Sequence, residues 1–389
     1  MHNTLLLVLV VVTALSFDFT NGFHDTANAM ATSIATGALR PRIAVALCGV
    51  LNFVGAFLSI KVAATIASGI VDQNVVTLPI VFAGLLGGIA WNVLTWYFGL
   101  PSSSSHALIG GVIGATAVAA GTSAVKGQSI VSKVVIPAVL SPIIAGLVAA
   151  IATFVAYRIA RPNQVRETRK TFRLGQIASA SLVSLAHGTN DAQKTMGIIT
   201  LALIADARLD KGSDPPTWVI ASCALAIAAG TYLGGWRVIR TMGHRLTQVE
   251  SPQGFAAETS AAAVLLIATR NGLPLSTTHI TAGAVMGSGM GKAADVKWRI
   301  AGRMVVAWIV TLPAAAAVAA GIAFATKRGG NTSIVIVAVL AVAVLAGVYA
   351  ISRRDPVGAH NINDEAVDEG ALAGRSTPAS AKATVGSVT

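Results

Sequence analysis

Charge is scarce in this sequence. Only 11% of its 389 residues are Asp, Glu, Lys or Arg, against about 25% in an ordinary soluble domain. With 54% hydrophobic residues and a mean hydropathy of +0.71, that scarcity excludes an ordinary soluble domain. Acids are rarer than bases, 16 against 28, which leaves a net charge of +12. The excess does not indicate nucleic acid, because the basic residues sit between apolar runs and form no patch interleaved with aromatics. Cysteine is nearly absent. Cys48 and Cys223 both lie inside apolar runs, with neither metal-ligand spacing nor a disulfide framework, and read as small packing residues. Catalytic signatures are missing too. Gly287–Ala293 (GSGMGKA) lacks the spacing and final hydroxyl of a phosphate loop. Ser105-His106 has no accompanying GxSxG turn. A membrane phosphatase or transferase would need a nucleophile with its base, and no such pair stands out.

Apolar runs are present in number: Ile43–Ala67, Val76–Tyr97, Ala107–Thr122, Val134–Ala156, Val219–Tyr232, Met304–Ala325 and Ile334–Ile351. Several are long enough to cross a hydrocarbon layer of about 30 Å. The Leu/Val run at Leu5–Leu15 lacks a cationic leader and precedes many further spans, so it reads as a retained first helix. The expected fold is all-α, a polytopic membrane protein. The basic stretch Arg158–Arg173 is assigned to the cytoplasm, and the remaining loops alternate from it, with Lys327 and Arg328 on the wrong side.

The chain also repeats itself. Gly22-Phe23-His24-Asp25 matches Gly188-Thr189-Asn190-Asp191, and the block from Pro101 to His106 (PSSSSH) matches that from Pro274 to His279 (PLSTTH). Gly110 and Gly114 follow one block as Gly283 and Gly287 follow the other, and such glycine pairs read as sites of close helix packing. Both motif pairs are offset by roughly 170 residues, which marks a duplication. The loop charges give the two copies opposite sense, an inverted repeat of the kind that places transport sites at the midplane. The expected division is 1–158 for the first transmembrane repeat, 159–173 for a basic loop, and 174–326 for the inverted second repeat. An extra helix at 327–351 and a disordered tail at 352–389 complete it. Asn3–Leu39 as one helix would be about 55 Å long, so a break is expected around Thr20–Phe23. Gly254–Gly291 and Pro79–Thr122 read as two re-entrant hairpins.

Each hydroxyl-rich block opens a helix, where unpaired N–H groups and about half a positive charge favour anions. Ser103, Ser104, Ser105, Ser276, Thr277 and Thr278 are the candidate anion ligands. The alternative for any of them is simple helix capping. Asp25 and Asp191 are acids inside apolar segments, costly and therefore functional candidates. A divalent phosphate with two aspartates carries about −4, of which two helix N-termini return only about +1. Lys194 adds one more if it faces the site, and snorkelling to the surface is its alternative. Positive companions must then travel with the anion, or the acids must be protonated. Asn21, Asn190, Gln193 and Glu258 join the two aspartates as candidates for handling that proton or cation. Asn28 of the first copy aligns with Lys194 of the second, and an ammonium there repels Na⁺, which favours protons. His106 and His279 read as packed or neutrally hydrogen-bonded.

The segments Asn21–Ala29 (NGFHDTANA), His187–Lys194 (HGTNDAQK) and Gly272–His279 (GLPLSTTH) resemble the PiT family of inorganic phosphate permeases, its bacterial low-affinity branch in particular. The likeness runs in order from about Leu5 to Ala325. It implies broken helices and an inverted-repeat fold, phosphate held at two hairpin tips, and Asp25, Asn28 and Asp191 as cation or phosphate contacts. These three would be the metal ligands were Na⁺ the coupling ion. Sodium-coupled members resemble GxNDxANA in both halves, and this chain departs from that at Ala192-Gln193-Lys194. The resemblance therefore implies a proton-coupled symporter in the plasma (inner) membrane, working by alternating access, with neutral metal–phosphate as one form of the cargo. A Na⁺-coupled phosphate or sulfate symporter is the alternative, and an anion channel a further one. No cofactor is expected beyond the co-transported H⁺ or Na⁺. The implied partners are inorganic phosphate and the lipid bilayer, with a homo-oligomer compatible and no nucleic acid.

Overall fold

The computed structural model describes residues 4–159, 165–294 and 296–363. Among these the chain is helical, and only two isolated bridges, Val71 with Val125 and Thr247 with Val296, resemble strand pairing. The first half contains α1 (Thr4–Ala35), α2 (Pro41–Gly55), α3 (Lys61–Gly69), α4 (Leu78–Tyr97), α5 (Ser104–Ala120) and α6 (Gly127–Ile159). The second contains α7 (Val165–Ala205), α8 (Thr217–Leu233), α9 (Trp236–Arg245), α10 (Ser251–Arg270), α11 (Thr277–Gly291) and α12 (Trp298–Gly330). A last helix, α13 (Thr332–Ser352), continues from α12 across a kink at Gly330. Five of these, α1, α4, α6, α12 and α13, are long and apolar enough to span a membrane, and α8 with α9 adds a sixth if that pair, bent by 60°, counts as one span.

The inversion is visible in the packing. One apolar cluster takes Leu7–Phe17 from α1 and Ala192–Leu203 from α7. A second takes Ala27–Ile34 from α1 and Ala180–Ala186 from α7. Helix α1 thus runs from the first cluster to the second, and α7 runs back. Helices α4 and α5 belong mainly to the first cluster, α10 and α11 to the second. Between the clusters lies a polar layer containing Asp18–Asn28 of α1 and His187–Lys194 of α7, whose charged and amide side chains are buried.

Local sequence sets the tips of the two helical pairs. Gly99 follows α4 and Gly272 follows α10, each at positive φ, +62° and +67°, where a side chain would be strained. Leu-Pro comes next in both connectors, and Ser103 and Ser276 then cap α5 and α11, accepting from the His106 and His279 amides at 3.1 and 3.3 Å. Each new helix packs through its glycines. A Cβ on Gly114 would meet the Ala316 carbonyl of α12, and one on Gly287 the Gly146 carbonyl of α6. Each tip helix therefore leans on a long helix of the other half.

Four expectations change. Helix α1 passes unbroken through Thr20–Phe23. Thr20 and Thr26 turn their hydroxyls onto the Phe17 and Gly22 carbonyls, both at 2.7 Å, so these polar residues reinforce the helix. The run Ile43–Ala67 is two helices, since Ala56–Ile60 leaves the helical path between α2 and α3. Helix α7 begins at Val165, inside the basic stretch assigned to a loop. The tail is ordered as far as Asn363. Arg237 of α9 donates to the Ser352 and Asp355 carbonyls, Arg240 donates to the Asn361 carbonyl, and Ile362 is buried. The remainder of the expected disordered segment, 364–389, lies outside the described residues.

Because Gly287 packs directly against backbone, Gly287→Val should lower thermal stability in detergent by about 1–3 kcal/mol, the usual cost of overpacking. The same change at Gly321, which has open space around it, should have little effect in the same unfolding measurement.

Candidate functional site

The polar layer is organised around two carboxylates. Asp25 and Asp191 are at most 1% exposed, so each needs hydrogen bonds to replace water. Asp25 is supplied from both halves. Ser104 of α5 donates to its Oδ2 at 2.7 Å, while Thr277 and Thr278 of α11 approach Oδ2 and Oδ1 at 3.3 and 3.5 Å. His24, its neighbour in sequence, places Nδ1 2.7 Å from Oδ1 and turns Nε2 to Thr95 at 3.1 Å. Asn28, one turn further along α1, donates to the Thr277 and Thr278 hydroxyls at 3.1 and 3.0 Å.

Asp191 has a different environment. Lys194, one turn later on α7, holds its Oδ1 at 2.7 Å. The same ammonium donates to Ser105 Oγ at 2.5 Å and the Leu275 carbonyl at 3.0 Å, tying together the tips of both helical pairs. At 1% exposure Lys194 does not snorkel. Asn21 reaches across from α1 to Asp191 Oδ2 at 3.4 Å. His187 stands between the acids, its Nε2 3.6 Å from Asp191 and 4.0 Å from Asp25. One ligand atom each from Asp25, His187 and Asp191 lies within 4.8 Å of the others, spacing suited to a cation. The Asn28 amide oxygen and His187 Nε2 have no hydrogen-bond partner. The Asn28 oxygen is a free acceptor beside a carboxylate pair, the ligand chemistry a proton or hard cation requires.

Some sequence candidates lie elsewhere. Gln193 does not face this centre. Its Oε1 accepts from the Val62 and Ala63 amides at 2.7 and 3.3 Å, and its Nε2 donates to the Thr189 carbonyl, so it caps α3. Asn190 donates to Thr269 Oγ1 at 2.8 Å and to the Leu273 carbonyl at 3.3 Å, which pins the α10–α11 connector. Ser103 and Ser276 spend their oxygens as helix caps. Glu258 forms a separate buried centre. Thr32, Ser33 and Ser179 donate to it at 2.6, 2.8 and 2.6 Å and Gln176 at 3.4 Å, so hydroxyls and an amide hold it rather than a cation. His106 and His279 stack edge to face at 4.8 Å, and Trp308 lies over His279 at 4.2 Å.

Sequence reasoning missed His24 and His187 as partners of the acids. Both were signalled: His24 is adjacent to Asp25, and His187 precedes Asp191 by one helical turn. It also missed Asp18, fully buried on α1. An acid amid Leu, Val and Phe was the visible sign there.

Inverted halves, a buried layer holding two carboxylates, and two hydroxyl-bearing helix starts converging on it define a membrane carrier of small anions. The model of the phosphate transporter family matches residues 21–319. Two relatives, each described as a probable low-affinity inorganic phosphate transporter, bear this out. One from Mycobacterium tuberculosis is 57% identical over 361 residues, 92% of this chain and 87% of its own. One from Bacillus subtilis is 44% identical over 319 residues, 81% and 96% of the respective chains. The solved structure of a sodium-dependent phosphate transporter shares the fold, with a TM-score of 0.75 at 23% identity over 84% of this chain and all of that one. The chain belongs to the phosphate transporter family. It is a multi-pass membrane transporter and not an enzyme.

Breaking a buried ion pair by removing one partner costs about 3–5 kcal/mol, whereas replacing both is tolerated far better. Lys194→Met should therefore destabilise the purified protein in thermal unfolding. Lys194→Met combined with Asp191→Asn should recover most of the loss.

Proposed function

We propose that the protein is a low-affinity inorganic phosphate symporter driven by protons, alternating access between the two membrane faces around the Asp25–Asp191 layer. The observation that carries this reading is the competition for donors at Asp25. Ser104 from one helix start and Thr277 and Thr278 from the other all direct hydroxyls at its carboxylate. These are the same hydroxyls that, with first-turn N–H groups, would hold a tetrahedral anion. While Asp25 is ionised it occupies them. Neutralising it, by a proton or by a cation between Asp25, His187 and Asp191, releases the hydroxyls to phosphate. The positive companion is therefore a condition of anion binding, which is symport.

Within this reading Ser104, Thr277, Thr278 and Asn28 contact phosphate, and Ser105 with Lys194 lines the opposite side. The α4–α5 and α10–α11 pairs enter as re-entrant hairpins from opposite faces, with the basic Arg158–Arg173 stretch in the cytoplasm. Protons are preferred to Na⁺ because Lys194 puts an ammonium where the first copy has the neutral Asn28. The second reading, Na⁺ coupling, takes support from the sodium-dependent relative in fold and from the close spacing of Asp25, His187 and Asp191. A neutral metal–phosphate cargo would use that same trio.

Purified protein in liposomes, given a pH gradient and a Na⁺ gradient separately, tests the proposal. Labelled phosphate should accumulate with the pH gradient alone, and accumulation only with Na⁺ would replace this reading by the second. Each hydrogen bond to a charged group contributes about 1.5–3 kcal/mol. Ser104→Ala with Thr277→Ala should therefore raise the apparent KM for phosphate by roughly tenfold or more, leaving the background proton leak unchanged. Asp25→Asn should insert normally and lose gradient-driven uptake.

A further inference from the structure

Asp18 is 0% exposed, and neither of its carboxylate oxygens has a hydrogen-bond partner. An ionised carboxylate in that state would carry a desolvation cost with nothing to offset it. The cation whose charge acts on it is Lys194, and all three ammonium protons of Lys194 are engaged, by Asp191, Ser105 and the Leu275 carbonyl. The polar side chains facing Asp18 are Thr195 and Asn21. Asn21 donates one N–H to Asp191 and keeps a free amide oxygen, and the Thr195 hydroxyl is likewise unpartnered. A carboxylate here has at most the Thr195 hydroxyl and the second Asn21 N–H as donors, whereas a carboxylic acid can also donate its own proton to either side chain.

The other titratable groups near Asp18 agree. Helix α7 presents Asp191 and Lys194, and α8 presents the Cys223 thiol. Helix α4, packed on the same stretch of α1, carries no titratable side chain before Tyr97. With Asp18 ionised, the group of Asp18, Asp191 and Lys194 bears −1. With Asp18 protonated it is neutral.

We propose that Asp18 binds a coupled proton. This rests on the proton-symport reading above and deepens it, by adding to the phosphate-facing acids a second proton-binding acid two helical turns from Asp25 on α1. The step is a simple transfer. Water on the loading side gives a proton to an Asp18 carboxylate oxygen, and on release that O–H bond breaks and the proton returns to water on the other side. Asn21 links the two centres, bonding Asp191 and also facing Asp18. When Asp18 discharges, its new negative charge competes with Asp191 for the Lys194 ammonium. Lys194 is then drawn off Ser105 and the Leu275 carbonyl, and the two helix starts that hold phosphate lose their shared tie.

The test uses full-length protein in liposomes with a trapped pH indicator. Protons entering per labelled phosphate are counted for wild type, Asp18→Asn and Asp18→Glu. Asp18→Asn should lower the number of protons entering per phosphate, and Asp18→Glu should restore it. An unchanged proton-to-phosphate ratio in Asp18→Asn overturns the proposal. Infrared spectroscopy is independent of transport. The wild type should show a protonated-carboxyl band that shifts in Asp18→Glu and is absent in Asp18→Asn, and persistence of every such band in Asp18→Asn also overturns it. If wild-type phosphate uptake draws in no protons, the symport reading itself falls, and the infrared comparison still decides whether Asp18 holds a proton.

Discussion

Two carboxylates buried on either side of one imidazole are the constraint around which this molecule is arranged. Asp25 and Asp191 each need donors to stand in for water, and one helix cannot supply enough of them. Asp25 therefore draws on α5 and α11, and Asp191 on its own Lys194 and on Asn21 of α1. Donors from both copies must meet in one layer, so the halves interdigitate. The glycine faces of α5 and α11 follow from this, since each must lie close against a long helix of the other half to bring its first turn to the layer.

The scaffold is symmetric and its charges are not. Where the first copy has His24 against Asp25, the second has Asn190, turned away to hold a connector. Where the first has Asn28 bridging two threonines, the second has Lys194. The side-chain differences concentrate positive charge near Asp191 and leave Asp25 dependent on neutral hydroxyls and His24. On the proposed reading, Asp25 is thus the acid whose state decides what those hydroxyls bind.

Much of this was legible in the sequence because duplication filters out chance. Asp25, Asp191 and the two hydroxyl blocks stand out by occurring twice, and Lys194 by differing between copies. Features set by tertiary direction were not legible. Gln193 and Lys194 are neighbours on α7, yet one caps α3 and the other enters the site, a difference of helical phase that motif reading ignores. The expected break at Thr20–Phe23 failed because threonine hydroxyls close on their own helix. The order of the tail to Asn363 depends on Arg237 and Arg240, which loop charge counts treated only as topology markers. Asp18 escaped notice for the reason the others were found: its equivalent in the second copy is Ser184, which bonds its own helix at Ala180, so no repeat drew attention to it.

The division of labour among the serines and threonines bears on how the layer switches. Ser103 and Ser276 hold their helix starts rigid through backbone caps that do not depend on any ligand. Ser104, Thr277 and Thr278 are released from capping and can change partner. A hydroxyl that turns from a carboxylate to a phosphate oxygen needs only a rotation about one side-chain bond, far less than moving a helix. On the proposed reading, the exchange of anion for carboxylate is therefore local, while the larger rearrangement involves Lys194, whose three bonds join both tips to Asp191. A buried ammonium releases such bonds more readily when a second negative charge competes for it, and Asp18, whose charge interacts with it, is such a group on the proposed reading. On that reading, local exchange at Asp25 and the tie at Lys194 are separate events, and coupling requires that they occur in order.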